Sequence, residues 1–379
     1  MSARRSNGPG IATRVFGSQW FVSVLAVLIA FAIGAILIAL SGASVVDAYY
    51  AMFRGSIVDP NAANAVRMIK PLTDSLFYSI PLIISGLGLA LGFRAGLFNI
   101  GGKGQIIVGA LAAVWVGFAV NLPPVLHTLV ALLVAVIAGG LYAGIAGVLK
   151  AKTGANEVIV TIMLNSIATL GLGYTLAQKA WQVPGTNQPV TPKVAESAAL
   201  ARLLPAPFKL HVGFLVALVA LVAFWWLIER STLGFQIRAV GANAAAARTA
   251  GISVERITAI TMVLSGAFLG LAGANEALGT IGYVSRDVAG SIGFDAITVA
   301  LLGRNKTWGT FGAGLLFGAF KAGGYTMQAK GVPIDMILIL QSVIVLLIAA
   351  PALVRWLFRL PDARALAART RKGDADEHK

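Results

Sequence analysis

The residues with the most chemistry to offer lie in a broken, glycine-rich stretch, 93–105, that reads FRAGLFNIGGKGQ. Asn99 and Gln105 each carry amide donors and an acceptor, and Phe98 adds a flat apolar face. Together such groups can hold a sugar ring or a base. The plainer alternative is a tight turn in which Arg94 and Lys103 only set the membrane topology, and both readings stay open on composition alone. A lysine among glycines also invites comparison with a phosphate loop. That pattern needs a Ser or Thr after the Gly-Lys pair, but Gly102-Lys103 is followed by Gly104, and no strand pattern precedes it. No nucleotide site belonging to this chain is identified.

Further polar residues stand at the edges of apolar runs. In 154–165 (GANEVIVTIMLN), Asn156 and Glu157 precede a helical pattern. A carboxylate there is favoured by the helix dipole, so capping is the simplest role for Glu157. Asn165 lies two turns deeper, where an unpaired amide in lipid is costly, and is expected to face the bundle interior or a pathway. Asn275 and Glu276 lie near the outer end of another apolar run. Glu276 is a functional candidate if it sits at membrane depth, and a wetted helix end if that helix stops early. Asp295 and the run Gly303-Arg304-Asn305-Lys306 raise the same question, and Arg304 and Lys306 are assigned mainly a topological role. The three histidines (His127, His211, His378) have no metal-ligand spacing. The chain has no cysteine, so disulfide and thiol chemistry are excluded. No nucleophile–base–carboxylate set is visible, and no enzyme activity or bound cofactor is expected.

A long polar interruption between apolar runs is 229–256, ERSTLGFQIRAVGANAAAARTAGISVER. Asn243 can cap a helix, Ala244–Ala247 are strong helix formers, and Gly251 suits the left-handed position after a helix end. The pattern predicts a short helix with a small-residue face between Arg238 and Arg248, outside the bilayer. A soluble partner can approach such a face closely. A plain connection needs far fewer residues, which favours docking.

The elements that must position these groups follow from composition. The chain of 379 residues is 58% hydrophobic and 12% charged, with 43 glycines, and its mean hydropathy is +0.83. A soluble domain cannot hide that much apolar surface. Apolar runs of the length that crosses hydrocarbon recur, and glycine suits close helix packing in lipid. An all-α polytopic membrane helix bundle is expected, with about ten spans (8–10). Their approximate ranges are 20–40, 72–92, 106–120, 125–149, 158–177, 212–228, 257–279, a short 291–303, 309–327 and 333–354. A tail of 1–19 precedes this membrane bundle of 20–354, and a charged tail of 355–379 follows it. Trp181 and Trp308 are expected at membrane interfaces.

Charge sets the orientation. With the N-terminus in the cytoplasm, most of the 30 Lys and Arg residues fall in cytoplasmic segments, so both termini and the 229–256 segment are expected inside. The net charge of +15 is then explained by topology and contact with anionic lipid, and no nucleic-acid partner is expected. A faint echo links 85–92 (SGLGLALG) with 265–273 (SGAFLGLAG). The two lie five spans apart, so a repeat would be inverted.

Four motifs in order, FRAGLFNIGGKGQ, NEVIVTIMLN, LGFQIRAVGANAAAARTAGI and FDAITVALLGRN, resemble the permease subunits of bacterial ABC importers, in the branch that handles simple sugars and nucleosides. The resemblance covers roughly 70–350. It implies a subunit of the bacterial inner membrane that pairs with a second permease, identical or related. Two cytoplasmic ATPase subunits that bind the ATP would drive it, and an extracytoplasmic substrate-binding protein would feed it. The segment 241–252 matches the family's coupling helix, which makes Gly241, Asn243, Ala247, Arg248 and Gly251 the expected ATPase-coupling residues. Phe98, Asn99, Gln105, Asn165, Asn275 and Glu276 are the substrate-pathway candidates. The sequence departs from the family at Lys103, where glutamate is common, and at Ala244, where proline is frequent. The alternatives are an ion-coupled secondary transporter using Glu276 and an ABC permease for branched-chain amino acids.

Overall fold

A computed structural model describes residues 19–329 and 331–333, with single positions at 336, 338, 339, 342, 343, 346 and 347. Every regular element among the described residues is helical, apart from an isolated antiparallel bridge between Arg202 and His211. The chain divides into two compact units, Met1–Tyr50 with Met327–Lys379, and Ala51–Thr326. The described part of the first unit holds α1 (Gln19–Leu40), where the first span was expected. Beyond it the chain turns at Gly42 (φ +80°) and enters α2 (Val45–Ser56).

The second unit contains α3 (Ala65–Arg94), α4 (Gly102–Ala119), α5 (Leu126–Thr153), α6 (Glu157–Ala177), α7 (Gly213–Trp225), α8 (Thr232–Ala242), α9 (Ala244–Thr249), α10 (Val254–Asn275), α11 (Ile292–Leu302) and α12 (Thr307–Gln328). Widened π-helical turns extend α7 through Trp226–Arg230 and α10 through Glu276–Thr280. Six helices among the described residues are long and apolar enough to cross a membrane: α3, α4, α5, α6, extended α7 and extended α10. Val27–Leu40 within α1, and α11, are shorter apolar helices. The expected ninth span is a 22-residue helix, α12. The expected tenth, 333–354, lies almost wholly outside the described residues.

Helix α3 begins seven residues before the expected 72. Asn64 caps it, its Oδ1 accepting from the Arg67 N–H at 2.9 Å. An ion pair between Lys70 and Asp74 tolerates two charges in that first part. At 30 residues α3 is about 45 Å long, well beyond the hydrocarbon thickness.

Helix α10 is the axis of the unit and packs on α3, α4 and α5. Small residues make this possible. A Cβ on Gly270 would overlap the carbonyl oxygen of Ala135 and lie 3.0 Å from Cα of Gly139 on α5. The backbones therefore touch, as close packing in lipid favours. The echoing stretches 85–92 and 265–273 lie against each other: a Cβ on Gly88 would come within 2.7 Å of Cβ of Phe268. By contrast α6 turns Ile159, Met163, Ile167 and Leu170 outward, the apolar surface of a helix that meets lipid.

Candidate functional site

The two ends of the bundle differ in construction. At one end, the turns that follow α3, α5, α7, α8 and α11 lock together. Arg94 Nε donates to the Asn305 carbonyl at 2.7 Å, and its guanidinium lies 3.9 Å from Glu229. Gly241 of α8 packs so tightly on this turn that a Cβ would overlap the Arg94 carbonyl oxygen. At the other end, the long 178–212 segment folds over the helix termini. His127 links Ser197 (2.8 Å) to the Val116 carbonyl (3.0 Å). Trp181 packs edge-on against Phe118.

The 229–256 segment is a pair of helices rather than one. Ser231 caps α8, its Oγ accepting from the Gly234 N–H at 2.9 Å. Gly234, Ile237 and Val240 form its buried face, a helical spacing that the apolar Phe235 and Ala239 between them obscure. Asn243 leaves helical geometry (φ −162°) and caps α9, accepting from the Ala246 N–H at 3.1 Å. Gly251 adopts φ +83°, and the Ile252 N–H returns to the Ala247 carbonyl at 3.0 Å, the expected helix stop. Ala247 faces inward, while Ala244, Ala245, Ala246 and Arg248 are exposed. Arg248 pairs with Glu255 at 2.6 Å. Between α8 and α9 runs an apolar groove of about 570 Å³, lined by Phe235, Ala239, Asn243 and Ala246 among others.

The 93–105 segment is broken as its glycines suggest. α3 ends at Arg94, the chain turns at Gly96 (φ +73°), and it runs back into the bundle. Asn99 is 1% exposed. Its Nδ2 donates to Gln105 Oε1 (3.0 Å) and Ser265 Oγ (2.9 Å), and its Oδ1 accepts from Gln105 Nε2 (2.9 Å) and the Gly101 N–H (3.0 Å). All four hydrogen-bonding positions of this amide are filled by protein. Asn165 serves the same segment, accepting from the Gly104 N–H and donating to the Ile100 carbonyl, both at 2.8 Å. Irregular backbone inside a bundle needs such partners. Phe98 is half exposed and tilted against Phe93.

Capping of α6 falls to Asn156, which accepts from the Val158 N–H at 2.9 Å. Glu157 instead bridges two turns, pairing with Lys150 at 2.5 Å and accepting from the Phe98 N–H at 3.3 Å. α4 and α11 begin against each other: a Cβ on Gly293 would lie 2.5 Å from the Lys103 nitrogen. Gly102 also meets Leu269, which is 15 residues, about 22 Å, into α10. Two helix N-termini thus meet at depth, the arrangement that lets interrupted helices meet polar cargo.

A second polar group occupies the half of the bundle away from α8 and α9. Asn275 is fully buried, and neither amide atom has a partner among the described residues. Beside it lies His211, whose Nδ1 accepts from the Gly213 N–H at 3.1 Å. Its ring meets Phe77 edge-on at 5.4 Å. Burial pushes the His211 pKa down to about 4, so the ring is neutral. Glu276 is buried and accepts from Thr280 Oγ1 at 3.2 Å. Lys321 of α12 lies within electrostatic reach of Glu276 and pairs with Asp295 of α11 at 3.3 Å. The rings of Tyr78 and Tyr325 pack 5.3 Å apart. Sequence reasoning singled out Asn275, Glu276 and Asp295 but passed over Lys321. The signal was available, because a lysine in an otherwise uncharged apolar run falls under the rule that selected Glu276. Tyr78 and His211 carried no such signal.

Ionisable groups on several crossing helices, interrupted helices and an exposed helix pair at one end define a polytopic membrane protein built to pass polar cargo. Residues 72–349 match the model of the branched-chain amino acid transport system permease component family, and the chain belongs to that family. Its members are transport subunits rather than enzymes. The chain is 40% identical to the guanosine ABC transporter permease protein NupP of Bacillus subtilis, over 89% of this chain and 95% of that one. It is 35% identical to the glucose ABC transporter permease protein TsgB13 of Haloferax volcanii, over 85% of each chain. It is 31% identical to the nucleoside ABC transporter permease protein NupB of Lactococcus lactis, over 92% and 94%. No solved structure matches.

Proposed function

We propose that the chain is the membrane-spanning subunit of an ATP-driven importer of nucleosides or simple sugars. The observation that carries this reading is the 40% identity to a guanosine permease across 95% of that protein's length. Relatives named for nucleosides and glucose favour polyhydroxylated cargo over the amino acids of the family's title. Such cargo suits the tyrosines, carboxylates and amides gathered around Glu276 and Lys321.

The subunit sits in a bacterial inner membrane with about ten spans and with both termini cytoplasmic. Its halves are related by inversion. The end that carries α8 and α9 faces the cytoplasm, and two ATPase subunits bind there and hold the ATP. A second permease, identical or related, completes the pathway, and an extracytoplasmic binding protein delivers cargo. Asn243, Ala247, Arg248 and Gly251 present α9 to the ATPase. When the ATPases close, α9 moves, and Gly241 passes the displacement to Arg94 and so to the 95–101 segment. Phe98 lines the pathway there, while Asn99, Gln105 and Asn165 hold the broken backbone in shape. Asn275 and Glu276, joined by Lys321, Asp295 and Tyr78, form the polar lining further out.

Uptake of labelled guanosine, glucose and leucine into vesicles carrying the assembled transporter tests this reading. ATP-dependent uptake of guanosine or glucose is expected. Uptake of leucine alone would overturn it.

A further inference from the structure

The docking end carries a second feature that the transport reading leaves unused. A cleft of about 670 Å³ opens between the ends of α3, α7 and α12. Three cations line it, Arg94, Arg230 and Lys306, against one carboxylate, Glu229. Arg94 is partly engaged by Glu229 and the Asn305 carbonyl. Arg230 lies over the ring of Trp225, 5.3 Å from its centroid, and Lys306 is exposed, its ammonium with no hydrogen bond or ion pair among the described residues.

The wall opposite is the start of α12. The chain reaches it through consecutive left-handed residues, Arg304 (φ 55°) and Asn305 (φ 56°). The first helical bond runs from the Thr310 N–H to the Lys306 carbonyl at 2.8 Å. The N–H groups of Thr307, Trp308 and Gly309 therefore have no acceptor within the helix. Thr307 is 4% exposed, and its hydroxyl has no partner although it lines the cleft. A buried unpartnered hydroxyl, free N–H groups at the positive end of a 22-residue helix and surplus cations together fit a phosphate.

The surroundings identify the source of the phosphate. The spans Ala65–Arg94 and Gly213–Arg230 end at this cleft, so it sits where hydrocarbon gives way to headgroups. Trp225 and the exposed Trp308 flank it, as interfacial aromatics do. From it an exposed apolar stripe, Trp226, Val222, Val219 and Leu215, runs up α7, a track for an acyl chain. We propose that this cleft binds the phosphate headgroup of an anionic phospholipid, held by Arg230, Lys306, Thr307 and the start of α12. Because Arg94 and Glu229 belong both to the cleft and to the joint with α8, the bound lipid braces the element through which α9 acts.

The test uses the full chain reconstituted in nanodiscs of equal phosphatidylglycerol and phosphatidylcholine, extracted in mild detergent and read by native mass spectrometry of retained lipid. The wild-type chain should keep phosphatidylglycerol in preference to phosphatidylcholine, a result that needs no variant to fold. Arg230→Gln with Lys306→Gln should lower that retention about thirty-fold, from two basic residues acting at the strength each shows near an anionic surface. Lys152→Gln with Lys179→Gln, removing equal charge elsewhere, should leave it unchanged. Equal retention of both lipids by the wild type, or full retention by the Arg230/Lys306 variant, overturns the proposal. Displacement of the lipid by millimolar inorganic phosphate also overturns it, since the cleft would then be a site for free phosphate.

Discussion

Substitution of Gly241 by alanine tests the mechanical joint between the docking helices and the broken segment. The added Cβ would overlap the Arg94 carbonyl oxygen and lie 2.9 and 3.0 Å from the carbonyl carbons of Arg94 and Ala95. Carbon atoms prefer about 3.5–4.0 Å, so the shortfall is roughly 0.5–1 Å at each carbon. All the opposing atoms are backbone, and no rotamer change relieves the overlap. α8 must slide away from the turn by a similar distance, at a cost of about 1–3 kcal/mol as for other overpacked sites. Folding survives such a cost, but the contact that passes motion from α9 to Arg94 opens. In vesicles with the assembled transporter, ATP hydrolysis should persist while uptake per ATP falls by roughly 5- to 150-fold, the same free energy read as a ratio. Gly171→Ala, where a Cβ meets nothing within 4 Å, should change neither. An unaltered uptake-to-ATP ratio in Gly241→Ala, with the chain present at normal levels, would refute the joint.

Gly270→Ala should destabilise the bundle itself by about 1–3 kcal/mol, because the new Cβ overlaps Ala135 and crowds Gly139; a lower unfolding midpoint in detergent checks this. Asn243→Ala removes the cap of α9 and should cost about 1 kcal/mol locally, read as weaker ATPase retention with the unfolding midpoint nearly unchanged. The His211 pKa is lowered from 6.5 to about 4 by burial, so the unfolded chain binds the extra proton between those values. Stability should therefore be level above pH 6.5 and fall as pH drops towards 4, by at most roughly 3 kcal/mol. His211→Gln should flatten that part of the pH profile. Lys321→Met should lower uptake while leaving the ATPase bound, and uptake equal to wild type would remove the Glu276–Lys321 group from the pathway.

Much of the bundle was legible because apolar run length and Gly, Pro and Asn punctuation are local signals. Asn243 and Gly251 bound α9 where their types predicted, since a cap and a left-handed stop act within a turn of their own position. α8 was not legible as a separate helix, because the apolar Leu233, Phe235, Ala239 and Ala242 are interspersed with its buried face, Gly234, Ile237 and Val240, and blur the amphipathic period. The partners of buried amides lie far along the chain and no local pattern encodes them. Asn99 reads from sequence as a group free to meet a ligand, yet it binds Ser265, 166 positions away. Glu157 likewise reads as a cap but ties the α5–α6 turn to Phe98. The meeting of α4 and α11 at depth is a tertiary fact that single glycines at 102 and 293 only permit.

If an ATPase seated on α9 drives this permease, the tagged chain purified from its native cells in mild detergent should bring that ATPase with it. A stoichiometric ATPase is expected, lost when residues 243–251 are replaced by a flexible linker while the second permease remains bound. A chain that arrives without an ATPase and still moves solute in vesicles without ATP, with sensitivity to a protonophore, would contradict ATPase drive.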